Sequence, residues 1–112
     1  MAKMSPTQLT LRKLKTDGWT TLAIVEHWNP FARKGMGIRQ DLFGFIDVLA
    51  ISDDGEVLAI QCTSKSNMSA RIKKIESNPH LPACRAAGFQ IEVWGWFKNK
   101  QGRWECKIED IS

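Results

Sequence analysis

The chain lacks any apolar run approaching the roughly 20 residues a membrane-spanning helix needs. Its opening stretch, MAKMSPTQLTLRKLK, carries basic residues but no continuous apolar segment of the secretory type. Both absences set the expectation of a cytoplasmic protein with no membrane partner. Cysteine is sparse: Cys62, Cys84 and Cys106 are odd in number, far apart and free of any C-x-x-C pairing. Neither a disulfide framework nor a zinc ribbon is indicated, and reduced, mostly buried thiols are expected. His27 and His80 are the only histidines, and neither has a partner at metal-ligand spacing, so no role is assigned to them. There is no low-complexity tract and no internal repeat, and 112 residues leave no room for a second core. Residues 1–112 are read as one domain.

What is present is an ordinary globular balance, 43% hydrophobic and 25% charged, with a net charge of +4. The cations are grouped. Lys3, Arg12, Lys13 and Lys15 lie near the start, Arg33, Lys34 and Arg39 in a glycine-containing stretch, and Lys65, Arg71, Lys73 and Lys74 after an apolar strand. Grouping of this kind points to a polyanion, although 12 acidic residues also allow a plain solvated surface.

Ser5-Pro6 is a helix start, a hydroxyl cap followed by proline at the first helical position, and Leu9, Leu11 and Leu14 give that helix an apolar face as far as Gly18. Trp19 to Trp28 alternates as a strand. Asn29 to Gln40, with two glycines, a proline and three cations, reads as a loop able to close over a ligand. The apolar Phe43 to Ile51 and the run EVLAIQCTSK, joined through Ser52-Asp53-Asp54-Gly55, predict an antiparallel hairpin. A short helix from Ala70 to about Glu76, capped by Ser69, and another from near Pro82 to Gly88 follow, either as two pieces or as one kinked helix. Phe89 to Phe97, a turn at Asn99 to Gly102 and a last strand close the chain. The order α-β-β-β-α-β-β predicts an α/β fold, a mixed central sheet flanked by helices.

Asp47 stands out because its neighbours Ile46, Val48, Leu49, Ala50 and Ile51 all belong in a core, where an ionised carboxylate is costly unless it is paired or holds a metal. An Asp at a strand end, bonded to backbone or to an Arg, is the competing reading. On the next strand Val57, Ala59, Gln61, Thr63 and Lys65 share one face, and pairing residues equidistant from the turn sets Asp47 opposite Gln61. Asp47, Gln61, Thr63 and Lys65 are thereby expected to converge.

In order and spacing these residues resemble the PD-(D/E)XK nuclease superfamily, in particular its small Holliday-junction-resolvase-like and VRR-NUC members. Asp47 in FGFIDVLAI matches the family's motif Asp, and Gln61-Cys62-Thr63 in VLAIQCTSKS falls on its Glu-x-Lys. The resemblance covers about Ser5 to Gly88 and implies a restriction-endonuclease-like fold, a bound Mg²⁺ or Mn²⁺, DNA as partner and association as a homodimer. The sequence departs from the pattern at two motif positions: Gln61 keeps an oxygen donor without its charge, and Thr63 supplies no ammonium. The first helix offers only the neutral Gln8 where the family often adds an acid. Lys65, two residues on, and Glu26 or Asp41 are the candidate replacements.

Two functions follow from the resemblance. One is a metal-dependent endonuclease on DNA, structured or branched, with Asp47, Gln61, Thr63 and Lys65 as the catalytic set and Asp47 and Gln61 on the metal. The other is a nuclease-fold module that binds nucleic acid, RNA included, through Arg33, Lys34, Arg39, Arg71, Lys73 and Lys74 without cutting it. A third reading, from the residues alone, makes Trp94 and Trp96, on one face of their strand, a protein-interaction or base-stacking surface unless a helix covers them. Ser64, Ser66, Ser69 and Asn67 read as a strand-to-helix turn.

Overall fold

A computed structural model describes residues 4–112, apart from the side chains of Ala32 and Arg33. Lys3 and the Arg33 side chain, both counted among the basic groups above, therefore lie outside the described residues.

Helix α1 (Pro6–Thr16) starts as its sequence predicts. The Ser5 hydroxyl accepts from the Gln8 N–H, and the Gln8 side chain accepts in turn from the Ser5 N–H, so two orphan donors of the first turn are satisfied reciprocally. The strands are β1 (Thr21–Ile24), β2 (His27–Asn29), β3 (Ile38–Gln40), β4 (Val48–Ile51), β5 (Val57–Ser64), β6 (Gln90–Lys98) and β7 (Trp104–Asp110). A one-turn helix α2 (Ala32–Gly35) lies between β2 and β3, and α3 (Met68–Glu76) and α4 (Leu81–Ala86) lie between β5 and β6. The main sheet runs β1-β4-β5-β6-β7, antiparallel except for the parallel β5/β6 pair, which the α3 and α4 segment connects. It is a mixed five-stranded sheet with helices on both faces.

Each face has its own core. Leu9 and Leu14 of α1 pack with Val48, Ala50, Leu58, Ile60, Trp94 and Trp96 on one side. Met68 and Ile75 of α3 and Leu81 and Cys84 of α4 pack with Ala59, Ile91 and Val93 on the other. Alternation along β5 sorts Leu58 and Ile60 from Ala59, Gln61 and Thr63. Trp94 and Trp96 are accordingly buried, and the interaction surface expected of them is corrected: α1 is the cover, and the Trp96 indole N–H donates to Thr10 Oγ1 at 2.9 Å from beneath it.

Four other expectations change. Trp19 to Trp28 is two strands, because the chain leaves the sheet after Ile24 and β2 pairs with β3 in a separate ribbon. The predicted loop Asn29 to Gln40 contains α2 and β3, elements too short to leave a periodic signature. Phe43 and Gly44 have φ of 56° and 86°, so the start of the predicted strand is a tight turn, bridged Leu42 to Ile46, and β4 begins only at Val48. After β5 a 3₁₀ turn, Lys65–Asn67, leads into α3, and α3 and α4 are separate helices. No helix among the described residues is long and apolar enough to cross a membrane.

Candidate metal centre

Asp47 occupies the mouth of β4, not its centre, and is held from three directions. Its N–H donates to Ile60 O at 2.9 Å and its carbonyl accepts from the Val25 N–H at 2.8 Å. Its carboxylate Oδ2 accepts from the Cys62 N–H at 2.8 Å and from the Gln61 amide. The register Val48↔Ile60 places Asp47 opposite Gln61, as the distance from the turn predicts.

The second carboxylate comes from symmetry about Gly44. In DLFGFID the Leu42 and Ile46 residues exchange both backbone hydrogen bonds, at 3.0 Å each, so Asp41 and Asp47 stand opposite each other one step further out, on the same side. Asn78, just past α3, fixes the turn by donating to Phe43 O at 3.0 Å. The third comes from the Val25 to Asp47 bond, which brings the next residue, Glu26, alongside. Carboxylate oxygens of Glu26, Asp41 and Asp47 all lie within 4.8 Å of one another.

Three carboxylates this close do not all ionise without a cation. Asp47, only 3% exposed, has its carboxyl pushed up to about 8, first by burial, then by a hydrogen bond and like charge from Asp41, while the Cys62 N–H pulls the other way. Near neutrality the metal-free cluster therefore keeps a proton that a bound cation would displace.

The triad sits in a cleft of about 460 Å³ walled by Ser5, Pro6 and Thr7 of the α1 end, Gly44 of the turn, and Arg71 and Lys74 of α3. Arg71 and Lys74 are three residues apart and share a helix face. Arg39 of β3 also lines the cleft and donates to Glu26 at 3.3 Å. Cys62 lines it too, but burial pushes its thiol up to about 12, so it is no nucleophile near neutral pH. The chemistry on offer is a hard, all-oxygen donor set facing three cations. It suits Mg²⁺ or Mn²⁺ on one side and a phosphate on the other.

Of the sequence-predicted set, Asp47 and Gln61 meet, but Gln61 does so as a hydrogen-bond donor and not through its carbonyl oxygen. Glu26 and Asp41, offered as alternatives, are both present. Thr63 is buried on β5 outside the cleft lining. Lys65 is corrected: the 3₁₀ turn carries it away from the cleft, and its ammonium lies 4.4 Å from the centre of the Phe97 ring. Lys73, two positions from Arg71, is exposed on another side of α3 and does not line the cleft, and neither does Lys34. The Ser5 to Thr7 wall carried no chemical signal, but the mirror arrangement of Asp41 and Asp47 about Gly44 is visible in the sequence and locates the pair.

No protein-family model, curated protein or solved structure matches the chain.

Proposed function

We propose that the protein is a metal-dependent endonuclease acting on DNA, with a restriction-endonuclease-like fold and a rearranged motif. The observation that carries this reading is the convergence of Glu26, Asp41 and Asp47 in a cleft that also presents Arg39, Arg71 and Lys74. Acids alone would repel a nucleic-acid backbone, and cations alone would bind it without chemistry.

Glu26, Asp41 and Asp47 would hold Mg²⁺ or Mn²⁺. When bound, the metal supplies an acidified water and neutralises charge on the phosphate. Arg71 and Lys74 bind the phosphate from α3 and add transition-state charge, taking the place the family gives to its motif Lys. The Cys62 N–H and the Gln61 amide orient the Asp47 carboxylate, holding Oδ2 and leaving Oδ1 without a hydrogen bond from either. Arg39 holds Glu26 in place.

A second reading, a nuclease-fold module that binds nucleic acid without cutting it, is favoured by one feature: those two donors already satisfy Asp47 Oδ2 within the protein. Incubation with single-stranded, duplex and four-way-junction DNA, with Mg²⁺ or Mn²⁺ and Asp47→Ala alongside, separates the two. Cleavage that disappears in Asp47→Ala supports the endonuclease, and salt-sensitive binding with no cleavage supports the module.

A further inference from the structure

The β2/β3 ribbon projects from the sheet beside the cleft and carries the most exposed aromatics described in the chain. Phe31 is 88% exposed and Trp28 59%, with Met36 beyond them. An apolar group of this kind on a surface calls for an occupant.

Its construction is specific. Trp28 stands directly opposite Arg39, so indole and guanidinium share one face of the ribbon. The indole lies across Gly37, where a Cβ would sit 2.1 Å from Trp28 Cζ2, and Gly37 has φ of +82°. Only glycine permits that placement, and it presets the ring. At the tip, Asn29 Oδ1 accepts from the Phe31 N–H at 3.0 Å and shapes the turn that presents Phe31. From His27 to Gln40 the sequence holds no Asp or Glu, and it carries Lys34 and Arg39.

We infer that the ribbon is a stacking platform for unpaired nucleobases, with Trp28 and Phe31 taking bases and Lys34 and Arg39 the adjoining phosphates. Aromatics set among cations with no acid nearby fit a polyanion with exposed π-faces. A second copy of the same arm would bring like charges together. Arg39 makes the platform continuous with the cleft, because the same side chain shares a face with Trp28 and lines the acidic site. The inference deepens the endonuclease reading by naming the substrate class: strands with unpaired bases beside the scissile phosphate, such as flaps, bulges and junction arms.

The test reads binding in metal-free buffer, so it does not depend on cleavage. Fluorescence anisotropy of labelled oligothymidylate and of a blunt hairpin duplex is measured with wild type, Trp28→Ala, Trp28→Phe and Phe31→Ala, alongside sedimentation of each protein. Each alanine variant is expected to weaken oligothymidylate binding about tenfold, as loss of a stacked base does. Trp28→Phe keeps most of the affinity, and the duplex is unaffected. Absence of oligothymidylate binding by wild type, equal loss on both probes, no loss on either, or a shift to smaller oligomers without loss of binding overturns the platform. Metal-dependent cleavage with Asp47→Ala as control is scored separately. Cleavage without Trp28 dependence overturns only the platform, and Trp28-dependent binding without cleavage overturns only the endonuclease.

Discussion

Replacing Asp47 by Asn should remove a pH dependence that the wild-type protein shows only without metal. In the folded protein the Asp47 carboxyl is pushed up to about 8 from an ordinary 3.8, so between those values the folded state keeps a proton that the unfolded chain releases. Stability is then greatest at the acid end of the window and falls as pH rises towards 8. At ~1.4 kcal/mol per pH unit, the loss between about pH 5 and about pH 8 is on the order of 4 kcal/mol. For a domain of this size that is roughly 15 °C or more in melting temperature. Cys62 and Cys106, pushed up to about 12 from 9.0, add nothing within that window. The Asn side chain stays neutral and still offers the Cys62 N–H an acceptor, so the variant's melting temperature in EDTA should stay nearly level while the wild type's falls. Saturating Mn²⁺ should flatten the wild-type curve by displacing the proton. Circular-dichroism melts of both proteins across that pH range, with and without Mn²⁺, are the assay. A wild type as stable in EDTA at the alkaline end as at the acid end, or a variant with the same fall, refutes the clustered-carboxylate account.

Three further outcomes follow from the geometry. Gln61→Glu places a fourth carboxyl against Asp47; it should tighten Mn²⁺ binding on the order of tenfold by calorimetry while lowering metal-free stability, and unchanged affinity would contradict the placement of the metal. Thr10→Val strips the Trp96 indole of its buried acceptor at a cost of about 1–3 kcal/mol in urea unfolding, part of which Trp96→Phe in the same background should recover. Gly95→Ala puts a methyl 2.1 Å from Met68 Sδ and 2.9 Å from Lys65 Cα. It should cost about 1–3 kcal/mol, and Met68→Ala should relieve it only in part, because the Lys65 backbone cannot retreat.

The parts of this fold that were legible in sequence are those fixed by local rules. Ser5-Pro6 with Gln8 specifies a helix start by itself, and counting outward from Asp53-Asp54-Gly55 sets Asp47 against Gln61 before any coordinates exist. Lys65 shows the limit. A period of two carried it onto the face of Gln61 only while the strand continued, and the chain leaves the strand at Ser64, a change driven by packing of Met68 against Gly95. Arg71 and Lys74 were read as phosphate anchors from charge alone, and Lys73 could not be separated from them without knowing which side of α3 faces the cleft. Trp94 and Trp96 left two alternatives open because alternation says which residues share a face, not what covers it; α1, distant in sequence, is what decides.

The hydrogen bond from the Val25 N–H to the Asp47 carbonyl draws together the two ends of everything from Glu26 to Ile46. That segment leaves the sheet and returns to it at one point, so it is an insertion with a closed neck. Its length and tip can change without cutting a strand of the five-stranded core, and lengthening a closed loop costs little in entropy. Glu26 and Asp41 lie at the neck, whereas Trp28, Phe31 and Lys34 lie on the part that hangs free of it. The molecule is thus a cartridge and a frame: the outer portion of the insertion can be shortened, lengthened or exchanged for another ribbon while the three acids keep their places.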